Sequence, residues 1–180
     1  MSHFTLDPNT QFPQIDVTLT SGGSVTLSAQ DGKAKLVVVY RGHFCPFCLS
    51  TLQHVQSKHA ELRSNQIDVV AVSADSVDVA RNFAETSGLT FPIAAGLAEV
   101  QMRTLGLYIS DPKGYQPQAH VFAEPAYFLL DADNSIRYLS YGSHPMGGRV
   151  NVDSLLAGTN WVKDEGERNA AFKDYKWGTK

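Results

Sequence analysis

A chain of 180 residues, 43% hydrophobic and 18% charged, is long enough for one sizeable core, read here as one domain with its core at about residues 10–163 and a charged tail at 164–180. A net charge of −3, with both signs scattered along the chain, leaves no basic footprint for nucleic acid or an anionic membrane. Neither a basic-then-apolar leader nor an apolar run near the ~18 residues of a membrane span is present, so a cytoplasmic protein is expected.

After an extended lead-in, Ile15–Leu19 alternates apolar and polar residues, Gly22-Gly23 supplies a turn, and Val25–Leu27 resumes the alternation, which predicts a β-hairpin. Leu36–Tyr40 is a continuous β-branched apolar run and reads as a buried central strand. A helix follows, with Pro46 in its first turn and a buried face at Cys48, Leu52, Val55, His59 and Leu62, ending near Ser64-Asn65. Ile67–Ser73 is a second buried strand, so strand, helix and strand make a βαβ unit. Asp75 or Ser76 caps the next helix, which Gly88 terminates, and Phe91–Ile93 is expected as a short edge strand. A helix over about Ala98–Leu105 precedes a long stretch, Gly106–Glu124, with little periodicity; loops of that length are usually functional, which places it near the site. Tyr127–Leu130 and Ile136–Tyr141 form an antiparallel pair, Ser143–Arg149 is a Gly/Pro loop, and Asn151 or Asp153 caps a closing helix. In the tail, Phe172, Tyr175 and Trp177 are expected to pack against the body.

The chain has two cysteines, Cys45 and Cys48, and both lie at the start of the first long helix. A helix N-terminus offers unpaired N–H groups and a partial positive charge, which lower a thiol pKa and favour the reactive thiolate. The pair therefore reads as a dithiol/disulfide redox centre, in keeping with a reducing compartment, where adjacent cysteines are catalytic rather than structural. The bland alternatives are two inert buried thiols, or a metal site needing further ligands such as His43 or His54.

The order of elements resembles a thioredoxin fold, an α/β architecture with a central mixed sheet flanked by helices and, here, an N-terminal β-hairpin. Tyr40–Cys48, Val70–Asp75 and Pro125–Asp131 together resemble the peroxiredoxin-like branch, the alkyl hydroperoxide reductase C/thiol-specific antioxidant family. That family carries Pro-x-x-x-Thr-x-x-Cys. With its reactive cysteine on Cys48, Cys45 falls at the threonine and Arg41 at the proline, and the family's arginine before the later strand is replaced by Glu124-Pro125-Ala126. Pro125 instead matches the thioredoxin-type proline, so the resemblance implies a cis Glu124–Pro125 bond facing Cys45.

The two likenesses disagree on the sulfurs. The peroxiredoxin pattern makes Cys48 the attacking thiolate, whereas the thioredoxin pattern makes Cys45 attack and Cys48 resolve. Helix geometry favours the second, because Cys48 lies on the buried face while Cys45, at the N-cap, is expected to be accessible and to have the lower pKa. Arg41 either polarises the site or is a rim charge. Arg149 could fold over the site in place of the missing arginine, but a surface loop charge is the expected reading. His43 is a proton shuttle or a plain loop histidine, and Phe44 and Phe47 form an apolar collar or belong to the core.

The resulting expectation is a thiol-dependent antioxidant oxidoreductase using Cys45, Cys48, Pro125 and Arg41 to reduce peroxides or protein disulfides. It would take electrons from a thioredoxin- or glutathione-type donor and need no cofactor and no metal. The alternative is a redox sensor or metal-binding protein that uses the same pair without turnover. Assembly is left open between monomer and homodimer.

Overall fold

In the computed structural model, which describes residues 5–114, 120–173 and 175–178, the hairpin is present as β1 (Asp16–Leu19) paired antiparallel with β2 (Ser24–Thr26). The apolar run becomes β3 (Ala34–Val39); α1 (Pro46–Ser64) and β4 (Ile67–Val72) complete the βαβ unit, with β3 and β4 parallel from Ala34↔Ile67 to Val39↔Val72. Then come α2 (Val77–Thr86), which Ser76 caps, β5 (Ile93–Ala95), α3 (Glu99–Thr104), and a short antiparallel pair, β6 (Ile109–Ser110) with β7 (Phe122–Ala123). Residues 115–119 of the long stretch lie outside the described residues. The chain continues through β8 (Ala126–Leu130), β9 (Ile136–Tyr141), α4 (Val152–Arg168), capped by Asn151, and α5 (Ala170–Lys173).

The main sheet has the order β2-β1-β5-β4-β3-β8-β9, so β3 is central, parallel to β4 on one side and antiparallel to β8 on the other. A central strand buried on both faces needs apolar residues throughout, and the period of two divides them. Leu36, Val38 and Tyr40 face a core built with α1, α2 and α4, while Val37 and Val39 face a second core holding Phe12, Ile15 and Met102. Leu52 and Val55 of α1 are fully buried in the first core, and each contributes about 1.5–3 kcal/mol of burial. His59, expected on the same face, is only half-buried and packs on Phe91 with ring centroids 5.8 Å apart.

Phe91–Ile93 was expected at an edge, but β5 lies inside the sheet. The hairpin strand β1 covers its outer side through Thr18↔Ala95 and Leu19↔Ala94, and all three β5 residues are accordingly buried. The last long helix also runs past residue 163, to Arg168. Beyond it Phe172 packs edge-on against Trp161 at 5.2 Å and Trp177 at 5.4 Å, and the Asn9 side-chain amide donates to the Trp177 carbonyl at 2.7 Å. Among the described residues no helix is long and apolar enough to cross a membrane.

Candidate active site

The end of β3 delivers Tyr40-Arg41-Gly42-His43-Phe44 to the start of α1. Cys45 is the N-cap residue, extended at φ −96° and ψ 107°, and Pro46 opens the helix. A proline there costs no hydrogen bond, because first-turn N–H groups lack helical partners in any case. The Cys48 N–H, which donates to the Cys45 carbonyl at 3.0 Å, also reaches Cys45 Sγ at 3.3 Å. The sulfur thus takes the place of the usual cap oxygen.

Both thiols are free and buried, Cys45 at 1% exposure and Cys48 at 0%. Cys48 lies on the buried helix face as expected. Cys45 was expected to be accessible and is not, because Arg149 reaches over the pair. Its Nη2 stands 3.6 Å from Cys45 Sγ and 3.7 Å from Cys48 Sγ, and its guanidinium carbon lies 5.7 Å from the centre of the Phe47 ring. The same guanidinium donates to the Pro145 carbonyl and to Thr51 Oγ1. A surface position was the expected reading for Arg149; the structure makes it the arginine of the site.

These contacts separate the two thiols. Cys45 is held down at about 5, first by the hydrogen bond from the Cys48 thiol, then by the Cys48 N–H and by Arg149, all outweighing burial. Cys48 is pushed well up, chiefly because its proton is engaged by Cys45 and because it is desolvated. The lower pKa thus falls on Cys45, the direction expected of its N-cap place. Since its folded pKa lies below the ordinary 9.0, the stability this contributes to the reduced protein is complete above that value and disappears as the pH falls through about 5.

Arg41 does not point at the sulfurs. It is buried, with Nε 3.1 Å from Glu124 Oε2, and its guanidinium carbon lies 4.8 Å from the Phe122 ring centre and 5.4 Å from that of Phe44. Ser110 Oγ donates to the other carboxylate oxygen at 2.6 Å. Arg41 therefore clamps the loop before Cys45 to the β6–β7 pair, which brings the described ends of the long stretch beside that loop, as expected. Phe44 is half-buried in this clamp, whereas Phe47 is 48% exposed.

His43 is anchored by Asp75, which is buried at 1% exposure. The His43 backbone N–H donates to Asp75 Oδ2 at 2.8 Å, the His43 ring Nδ1 lies 3.1 Å from Oδ1, and Ser73 Oγ donates to Oδ2 at 3.1 Å. In the sequence Asp75 reads as a helix cap at the end of the Val70–Asp75 stretch, and Glu124 as a residue standing where an arginine is missing. The signal available for both was a carboxylate beside an apolar strand end, which demands a buried partner.

Pro125 lies beside Cys48 and Arg149, lining a void of about 10 Å³. Its peptide bond to Glu124 is trans, which corrects the cis expectation. Glu124 continues the β6–β7 pairing, its N–H donating to the Tyr108 carbonyl at 2.8 Å, and Ala126 opens β8 directly after Pro125. Thioredoxin likeness at the site is thus confined to the Cys-x-x-Cys helix start. Among the described residues no three His, Cys, Asp or Glu side chains converge on a point where a metal ion could sit.

Arg149 reaches its place through backbone packing. The Pro125 carbonyl accepts the Gly142 N–H at 2.7 Å, and a Cβ on Gly148 would stand 2.1 Å from that same carbonyl oxygen; Gly148 also has φ +62°. The left-handed backbone alone costs a non-glycine residue about 1–2 kcal/mol, and the clash forces the loop outward. Gly148→Ala should therefore destabilise the protein by more than that and raise the Cys45 pKa, as should Arg149→Gln without the backbone penalty. The ultraviolet absorbance of the thiolate, titrated against pH, checks this; a midpoint unmoved in both variants would mean that Arg149 does not act on the thiolate.

A dithiol whose first sulfur caps a helix after the central strand of a mixed sheet flanked by helices defines a protein of the thioredoxin fold. The chain belongs to the AhpC/TSA family, whose model matches residues 8–139. Among solved structures it is similar to a peroxiredoxin-like protein from Aquifex aeolicus (TM-score 0.72, 15% identity, covering 87% of this chain and 88% of that one) and to Mycobacterium tuberculosis AhpC (TM-score 0.72, 18% identity, covering 89% and 95%). A curated relative, the thiol-disulfide oxidoreductase ResA of Halalkalibacterium halodurans, is 26% identical over 97 residues, and the match spans about half of each protein, 53% of this chain and 50% of the relative.

Proposed function

We propose that the protein is a thiol-dependent peroxide reductase in which Cys45 attacks, Cys48 resolves and Arg149 supports the charge. The observation that carries this reading is the placement of two donors, the Cys48 N–H and Arg149, on the sulfur of Cys45. The Cys45 thiolate attacks one peroxide oxygen, the O–O bond breaks, and the departing alkoxide or hydroxide takes a proton from solvent, leaving a sulfenic acid on Cys45. The Cys48 thiol then attacks that sulfur, so that the S–S bond forms, the S–O bond breaks and water leaves. A dithiol donor of the thioredoxin type returns two electrons and two protons.

The void beside Cys48, about 10 Å³, is no larger than about one water-sized probe. Peroxide entry therefore requires Arg149, which lines that void, to move aside from the sulfurs before chemistry. Exchange with a protein disulfide is the second reading, favoured by the stretch shared with the curated relative and weakened by the trans Glu124–Pro125 bond.

Stopped-flow mixing of the reduced protein with hydrogen peroxide tests the first reading. Both thiols should be lost per peroxide consumed, at a rate that is flat at neutral pH and falls about tenfold per unit below the Cys45 midpoint of about 5. Slow oxidation by peroxide together with rapid oxidation by a protein disulfide would replace the first reading with the second.

A further inference from the structure

Tyr40, directly after β3, is buried, and its ring stacks on that of Phe83 of α2 with centroids 6.0 Å apart. Its hydroxyl has no hydrogen-bond partner among the described residues. An unpaired hydroxyl is unfavourable in the interior, and phenylalanine would fill the same space without it. Such an orphan calls for a reason, and its neighbours supply one. Tyr40 and Cys48 belong to one buried cluster and both line the small void beside the sulfurs. Burial opposes ionisation of the phenol, the Ser73 hydroxyl eases it, and the charges of Asp75 and Cys48 oppose it further. These three groups therefore face the phenol, Ser73 and Asp75 from the end of β4 and Cys48 from α1. Ser73 acts on the phenol without bonding it, because its own proton is directed to Asp75.

From Tyr40 the polar groups continue to the surface. Ser73 Oγ donates to Asp75 Oδ2 at 3.1 Å, and Asp75 Oδ1 lies 3.1 Å from Nδ1 of His43, whose side chain is 38% exposed. Ser73 and Asp75 are both buried, so the imidazole is the outer end of the series. An ionised carboxylate only accepts hydrogen bonds. The Ser73 proton therefore points outward, and a lone pair is left for the Tyr40 hydroxyl. Gly42 permits the close approach of loop and carboxylate, since a Cβ there would stand 3.0 Å from Asp75 Oδ1 and 2.7 Å from the Phe44 ring.

Cys48 needs such a route. It attacks Cys45 as a buried thiol whose proton must leave, and in an in-line displacement the attacking sulfur stands opposite the leaving group, so the proton does not pass directly to that group. We propose that Tyr40, Ser73, Asp75 and His43 form a proton relay that takes the Cys48 proton to the surface as the disulfide closes. The Cys48 S–H bond breaks as the S–S bond forms. The proton goes to Tyr40 Oη, the Tyr40 proton to Ser73 Oγ and the Ser73 proton to Asp75, and the Asp75–His43 pair returns one proton to solvent at the exposed imidazole. The leaving group departs with the electron pair of the bond it loses and, where it is hydroxide, takes a proton from solvent.

The proposal rests on the reading above for the order of the two sulfurs but not for the oxidant. It is therefore tested with dithionitrobenzoate, an aryl disulfide whose thiolate leaves as an anion and takes no proton with it. The reduced wild type should release a first thionitrobenzoate as Cys45 attacks and a second as Cys48 displaces the other half. Tyr40→Phe should leave the first release unchanged and slow the second about tenfold or more. Its urea midpoint of unfolding should be no lower than that of the wild type, since the hydroxyl removed is bonded to nothing. His43→Asn, which keeps a donor for Asp75, should slow the second release in the same way, and free imidazole should restore it there but not in Tyr40→Phe. A second release unaltered by Tyr40→Phe, both releases slowed together with a lowered urea midpoint, or a slow His43→Asn that imidazole does not rescue would each overturn the relay. A fast first release from Cys45→Ser would instead refute the order of the sulfurs, on which the relay depends.

Discussion

Cys45→Ser should abolish oxidation by peroxide, whereas Cys48→Ser should still be oxidised once per molecule and stop at a sulfenic acid on Cys45 that a dimedone-type reagent captures. The asymmetry follows from which sulfur is charged. Cys45 receives the Cys48 N–H at 3.3 Å and Arg149 at 3.6 Å, while the Cys48 proton is engaged by Cys45, and burial and the neighbouring negative charge further oppose its loss. Cys48→Ala adds a signed test. The hydrogen bond from the Cys48 thiol is the largest cause of the low Cys45 pKa, so without it the midpoint should climb from about 5, and the pH at which oxidation begins should climb with it. Mass spectrometry after one equivalent of peroxide reads out the sulfenic acid. If it forms on Cys48 in Cys45→Ser at a comparable rate, the assignment reverses and the family's usual cysteine position is restored.

Glu124→Leu should be among the most destabilising single changes outside the apolar core. Arg41 and Glu124 have side-chain exposures of 7% and 4%, and removing one partner of a buried pair leaves an uncompensated charge, at a cost of about 3–5 kcal/mol. Ser110 loses its acceptor in the same variant. The double variant Arg41→Met/Glu124→Leu should recover most of the loss, since replacing both charges with apolar groups of similar volume is often neutral. Urea unfolding of the two single variants and the double variant decides this, and a Glu124→Leu cost below about 1 kcal/mol would mean that water or another group already compensates Arg41. Because the clamp also holds the loop before Cys45, the single variant should lose peroxide reactivity before it loses its fold.

Much of the architecture was legible because the relevant forces act within a few residues. Leu36–Val39 and Val69–Val72 are apolar without interruption because central strands have no wet face. Pro46, the four-and-three spacing through Leu62, and the stop at Asn65 mark out α1. Where adjacent positions were insufficient, the reading failed in an intelligible way. Nothing in Phe91-Pro92-Ile93 says that a hairpin some 75 residues earlier returns to cover it. Pro125 matches a pattern whose cis bond this chain does not have.

The sequence by itself determined the chemistry available here: two sulfurs three positions apart at a helix start, the first set to receive the helix's free N–H groups. That much is decided by local dihedral angles and one turn of hydrogen bonding. Which arginine meets the sulfurs, and whether either sulfur meets solvent, was decided only by the tertiary structure. Arg41, four residues before Cys45, is drawn away by Glu124, while Arg149, 101 residues beyond Cys48, arrives because glycine backbone packs against the Pro125 carbonyl. The physical reason is range. Capping and periodicity act between neighbours in the chain, whereas the partner of a buried charge is whichever group the folded loops bring within reach.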